Sequence, residues 1–162
     1  LIMKKKPAFK YLLIDVDGVM TDGKIYYNTD GKIMKVFGPD DHDALNMLKD
    51  KIKIHFLSAD ERGFEISKKR IVEDMKFPLD LVSAKERLEW IEKNCILDES
   101  IYIGDSFVDI KIAEKVGFSI APSDSDGNLK NTVNLILENK GGHRAVAEAC
   151  HYIQQNLIKS KF

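Results

Sequence analysis

Asp15-Val16-Asp17-Gly18-Val19-Met20-Thr21-Asp22 sets two carboxylates two residues apart at the abrupt end of an apolar run, Tyr11-Leu12-Leu13-Ile14. A carboxylate so placed can attack phosphorus, while a second one protonates the departing oxygen and then activates water. Asp15 suits the first task and Asp17 the second. Alone, Asp-x-Asp-Gly is also an ordinary turn sequence. A second acidic group gives it chemical meaning: Ile101-Tyr102-Ile103 leads directly into Gly104-Asp105-Ser106-Phe107-Val108-Asp109. If a helix starts near Ser106, Asp109 lies one turn along from Asp105, and both carboxylates can face one point. Asp15, Asp17, Asp105 and Asp109 gathered in one place repel each other unless a cation sits among them. A hard divalent ion with oxygen ligands, Mg²⁺ above all, meets that need.

Phosphoryl chemistry also needs donors for the remaining phosphate oxygens. Ser58 ends the apolar run Lys53-Ile54-His55-Phe56-Leu57, and its hydroxyl, with nearby backbone amides such as that of Ala59, can bind one oxygen. A serine there can equally cap the next helix. Lys85, near the start of a helical segment after another strand-like run, can bring a positive charge to the phosphate. His42 and His143 are candidate substrate contacts, whereas His55, inside a strand, and His151, on the last helix, read as structural or surface residues.

The elements that must position these groups follow from the pattern of apolar runs. Tyr11–Ile14 reads as a strand buried on both faces, which belongs to a parallel sheet covered by helices. Further strands are expected at 53–57, 79–82, 101–103, 118–120 and 133–137, and helices at 40–51, 60–75, 85–94, 106–116 and 143–157. Residues 121–131, rich in Ser, Asp and Gly, are expected to form a loop. This alternation is that of an α/β, doubly wound parallel sheet, whose ligand crevice lies beyond the carboxyl ends of the strands. One feature interrupts the rhythm. Residues 24–37 form two short strands around Asn28-Thr29-Asp30-Gly31, a four-residue hairpin turn, and should project from the sheet as a flap whose apolar side chains need a cover.

The 162 residues suit one domain with a full core. With 25 Lys and Arg against 26 Asp and Glu, no general attraction to nucleic acid or an anionic membrane is encoded, so binding of an anion must be local. No apolar run approaches the roughly 20 residues needed to cross a bilayer. Leu1-Ile2 ahead of Met3 reads as an artificial extension, and the basic residues after it precede no signal-length apolar stretch. Cys95 and Cys150 stand far apart with no Cys-x-x-Cys spacing, which suits two reduced thiols and a cytoplasmic protein.

In order and spacing, the acidic run 15–23, Ser58, Lys85 and the run 104–109 resemble the four motifs of the haloacid dehalogenase superfamily of phosphatases. The Thr21-Asp22-Gly23 extension, the hairpin and Gly141-Gly142 resemble its capless branch, that of 3-deoxy-D-manno-octulosonate (KDO) 8-phosphate and nonulosonate 9-phosphate phosphatases. The resemblance implies a Rossmann-like fold with the hairpin in place of a cap domain. It also implies a Mg²⁺-dependent phosphomonoesterase that works through an aspartyl phosphate on a phosphorylated sugar acid destined for a bacterial surface polysaccharide. Homotetramers are implied as well, with hairpins and C-terminal tails, here 141–162, helping to close a neighbour's active site. Thr21, Asp41, Arg62 and Arg144 would then face the leaving group. Three departures lie there: Ser58-Ala59-Asp60-Glu61-Arg62 stands where relatives carry Ser-Gly-Arg, Asp41-His42 where they carry Asp-Gly, and Ala147 where a tail arginine is usual. The competing reading is a catalytically weak phosphatase-like domain used for oligomerisation, similar to those behind sugar-acid cytidylyltransferases. A phosphoaccepting receiver domain fits less well, because Ser58 occupies the position where its acceptor aspartate should stand.

Overall fold

Six strands form one parallel sheet: β1 (Tyr11–Asp15), β4 (Lys53–Ser58), β5 (Leu79–Leu81), β6 (Ser100–Ile103), β7 (Phe118–Ala121) and β8 (Leu135–Ile136). Their order is β5-β4-β1-β6-β7-β8, so the first strand lies at the centre. This computed structural model describes residues 8–158. Leu1 and Ile2, the basic run that follows them and the last residues of the expected tail, 159–162, lie outside the described residues.

The alternation of side chains explains why both faces are covered. Leu12 and Ile14 of β1, Phe56 of β4 and Ile101 and Ile103 of β6 bury into one core with α1 (Asp41–Leu48) and α6 (Ala145–Tyr152). Leu13, Leu57 and Tyr102 point the other way, into a second core with Ile91 of α3 (Arg87–Asn94) and Ile112 of α4 (Ile110–Ala113). Two apolar faces on every central strand require helices on both sides, as the near-continuous hydrophobic runs implied.

The hairpin forms a sheet of its own, β2 (Thr21–Asn28) paired antiparallel with β3 (Gly31–Phe37), and Asn28 pairs with Gly31 across the expected turn. Several boundaries differ from the sequence reading. The helix expected over 60–75 starts only at Phe64 as α2 (Phe64–Lys68) and continues in wider turns over Lys69–Asp74. Ahead of it, Asp60 is paired with Lys32 and Lys35 of the hairpin, while Glu61 and Arg62 are exposed. The helix expected over 106–116 divides into a tight turn, Phe107–Asp109, and α4. The supposed loop 121–131 contains α5 (Gly127–Lys130), which starts because the Asp126 carboxylate accepts from the amides of Asn128 and Leu129 and because Leu129 is buried.

Candidate active site

Register carries the acids to one edge. Asp15 is the last residue of β1, beside Leu57 of β4, and Ile14 pairs with Ile103 of β6, two residues before Asp105. Parallel neighbours therefore deliver Asp15 and Asp105 to the carboxyl end of the sheet, where helices no longer cover it. Beyond Asp15 the chain coils through Val16–Met20, broken by extended Asp17 and by Gly18 at φ 85°. Gly18 is required on two counts: its left-handed backbone, and a Cβ there would lie 1.9 Å from Asp105 Oδ2. The Thr21 hydroxyl accepts from the amides of Gly18 and Gly23, both at 3.2 Å, and holds the loop closed.

One carboxylate oxygen from each of Asp15, Asp105 and Asp109 lies within 4.8 Å of the others. Burial, opposed by Arg87 and reinforced by Asp109 and Asp105, pushes the Asp15 carboxyl well above its usual range. Asp105 rises to about 6, chiefly through burial and then through the charge of Asp109. Crowded, partly desolvated acids take up protons unless a cation replaces them, and an all-oxygen donor set suits a hard divalent ion. Asp109 is already engaged. Its Oδ1 accepts from the Tyr102 hydroxyl at 2.6 Å, and its Oδ2 accepts from the amides of Asp105 and Ser106 at 3.2 and 3.1 Å. Asp15 and Asp105 are left with the greater capacity for an ion, and Asp109 fixes the loop that carries Asp105.

The fourth expected metal ligand is not in this group. The Asp17 carboxylate turns instead to Lys35 of β3, whose Nζ lies 2.8 Å from Asp17 Oδ1. The same Nζ is 2.9 Å from Asp60 Oδ2 and donates to Ser67 Oγ at 2.9 Å, while Lys32 pairs with Asp60 from the other side. Although burial opposes it, these two lysines hold Asp60 below the usual carboxylate range.

The cation against Asp15 also differs from the one expected. Lys85 is exposed in the turn ahead of α3. Arg87, two residues on and 3% exposed, sets Nη1 3.1 Å from Asp15 Oδ1 and 3.4 Å from Asp109 Oδ1, and donates to the Tyr102 oxygen at 2.9 Å. Burial disfavours its charge, but Tyr102, Asp15 and Asp109 more than offset that and raise the guanidinium above its ordinary value. The sequence held a signal for this residue. Arg87 stands four residues before the inward-facing Ile91, on the same helix face. Lys35 had no such signal, because it lies among Ile33, Met34 and Val36 in a strand with no regular alternation.

The other expected site residues fall into two groups. Ser58 is fully buried, and its hydroxyl accepts from the Asp60 amide at 3.2 Å; Ala59 beside it is exposed. Arg62 is exposed, and Arg144, also exposed, is paired with Asp40. Thr21 and Asp41, expected to touch substrate, are both buried. Thr21 closes the loop that carries Asp17, and Asp41 accepts from the Ala147 amide at 2.9 Å, tying α1 to α6. His42 packs edge-on against Phe77, and His143 is bonded to the Gly141 carbonyl. Among the described residues no helix is long and apolar enough to cross a membrane.

No family model matches the chain. Whole-chain comparison does. The sequence is 31% identical to the KDO 8-phosphate phosphatase KdsC of Haemophilus influenzae over 98% of this chain and 90% of that one. The cobalt-bound structure of the H. influenzae phosphatase superposes with a TM-score of 0.80 at 28% identity, covering 91% of this chain and 88% of the other. The Yersinia pestis enzyme gives 0.78 at 25% identity, with 91% and 81% covered. Kinship over nearly the whole length, in sequence and in the course of the backbone, explains why acids gather at this sheet edge: the chain belongs to the KDO 8-phosphate phosphatase family of the haloacid dehalogenase superfamily, and it is a phosphatase.

Proposed function

We propose that this phosphatase hydrolyses the phosphomonoester of a sugar acid, KDO 8-phosphate or a nonulosonate 9-phosphate, through an aspartyl phosphate on Asp15. The observation that carries the reading is the convergence of Asp15, Asp105 and Asp109 within 4.8 Å, with Asp17 two residues away on the same loop. In the first half-reaction an Asp15 carboxylate oxygen bonds to phosphorus as the bond to the sugar oxygen breaks, and Asp17 passes its proton to that oxygen. In the second, Asp17 takes a proton from water, the resulting oxygen attacks phosphorus, and inorganic phosphate leaves while the Asp15 carboxylate is regenerated. Asp15 and Asp105, with Asp109 behind them, would hold Mg²⁺, whose charge when bound screens the repulsion between the acids and the phosphate. Arg87 keeps Asp15 oriented and offsets part of its charge from the opposite side.

The sugar-acid substrate is that of the KdsC relatives, and the cobalt carried by one of them supports a divalent ion at this edge. Assembly as a homotetramer through the hairpin is part of the same reading, supported by the exposed Tyr26, Tyr27, Ile33 and Met34. So is a cytoplasmic location, in keeping with Cys95 and Cys150 as free thiols. The test is phosphate release, with and without Mg²⁺, from phosphorylated eight- and nine-carbon keto acids against hexose phosphates. Metal-dependent turnover of a keto acid ester, abolished in Asp15→Asn, is expected. A folded protein that turns over none of them would point instead to the oligomerisation scaffold.

A further inference from the structure

Lys35 faces inward from a strand whose neighbours Ile33, Met34 and Val36 are exposed, and its side chain is wholly removed from solvent. A buried ammonium costs several kcal/mol unless its charge is matched and its three donors are used. Here three oxygens from three separate segments surround Nζ, two from carboxylates that match its charge and one from a hydroxyl that accepts its hydrogen bond. They are Asp17 on the catalytic loop at 2.8 Å, Asp60 after β4 at 2.9 Å and Ser67 on α2 at 2.9 Å. Room is made for the cluster by Gly63, where a Cβ would fall 2.2 Å from Asp60 Oδ2 and 2.8 Å from Lys35 Cε. Lys32 adds a second cation to Asp60, so two lysines balance two carboxylates.

Holding the hairpin against α2 does not require this arrangement. An apolar side chain at position 35 would do so without taking an ion out of water, and buried ion pairs are often no more stabilising than such a replacement. What the cluster adds is direction. Its lysine engages Oδ1 of Asp17, so a proton exchanged with substrate or water must travel on Oδ2. We infer that Lys35 is a positioning residue for the acid–base step: fixed by Asp60 and Ser67, it aims the free oxygen of Asp17 at the leaving group. The hairpin then belongs to the catalytic apparatus of its own chain. Asp60, the residue that departs from the usual Ser-Gly-Arg pattern, is the anchor for this lysine. This inference rests on the reading of Asp17 as general acid.

Leaving-group dependence separates positioning from mere support. The value of kcat/KM reports the steps up to departure of the leaving group. p-Nitrophenolate departs without a proton, whereas the sugar alkoxide of KDO 8-phosphate needs one. For Lys35→Met, the loss on KDO 8-phosphate should exceed the loss on p-nitrophenyl phosphate by about fivefold or more, a fraction of the ~10²–10⁴-fold that general acid catalysis supplies. Any smaller ratio overturns the inference, since a purely structural defect slows both esters alike. If Lys35→Met fails to fold, Ser67→Ala keeps every charge, removes the hydroxyl that accepts from Nζ, and should show the same selective direction; equal losses there overturn the inference too. Asp17→Asn is the control beneath both. Loss confined to the sugar ester with an unselective Lys35→Met removes only the role of Lys35, whereas an unselective Asp17→Asn removes the general-acid reading itself.

Discussion

Asp105 shows how a single residue would couple ion binding at the candidate site to pH. Its carboxyl is raised from 3.8 to about 6, chiefly by burial and by Asp109. In the metal-free protein the folded state therefore holds a proton between those values that the unfolded chain does not. That contribution to stability is complete below about 4 and is lost as pH rises through about 6. A divalent ion must displace this proton. Saturating Mg²⁺ at a hundredfold excess over Kd should stabilise the protein by about 2.7 kcal/mol at neutral pH. Each pH unit below the raised pKa should then weaken binding about tenfold. Thermal melts with and without Mg²⁺ across pH 5–8 check this, and an increment unchanged at the acid end would contradict it. Asp15, raised by burial as well, acts in the same direction.

At the scale of elements, the Val16–Met20 loop is held between two others. Gly18 lies against Asp105 on one side, while on the other a Cβ at Gly141 would fall 1.9 Å from the Gly18 carbonyl oxygen. The Gly142 amide donates to the Val19 carbonyl at 3.1 Å, so the turn ahead of α6 supports the loop from behind. Gly141→Ala should therefore push Gly18 toward Asp105, lowering stability by about 1–3 kcal/mol as overpacking does and reducing kcat/KM and Mg²⁺ affinity together. Gly127→Ala is the matching control. Nothing lies within 4 Å of its added methyl, so it should leave activity unchanged and add up to about 1 kcal/mol of helix stability. Urea denaturation and Mg²⁺ titration of the two variants would distinguish loop displacement from a general glycine effect.

For the whole molecule, the informative surface is the outer face of the hairpin. Tyr26 and Met34 are cross-strand partners, 54% and 52% exposed, and Tyr27 is 59% exposed. Apolar side chains clustered on a two-stranded sheet call for a cover, and a net charge of −1 gives little repulsion between copies. If four copies associate through this face, Tyr26→Lys with Met34→Glu should yield monomers by light scattering after gel filtration. The change should leave the Lys35 cluster intact, because these side chains point away from it. A variant that remains tetrameric would move the interface elsewhere.

The α/β class and the acids' place at the carboxyl ends of parallel strands were legible in the sequence; that these strands are neighbours at the centre of the sheet was not. Short apolar runs ending in carboxylates have few other uses, and parallel strands align such ends by geometry alone. The hairpin turn was legible for a similar local reason, as Asn28-Thr29-Asp30-Gly31 needs no distant partner. Lys35, Asp60 and Arg87 were not assigned to the site, because a charged residue's role depends on which opposite charge folding brings to it. Lys35 and Asp60 meet only when the hairpin packs beside α2, and Arg87, not Lys85, reaches Asp15 because it occupies the inward face of α3. That Thr21 and Asp41 meet backbone amides was hidden for the same reason: a polar side chain looks alike in sequence whether it meets solvent or a buried amide. Local pattern fixed which residues could perform the chemistry, and tertiary packing decided which charge neutralises which.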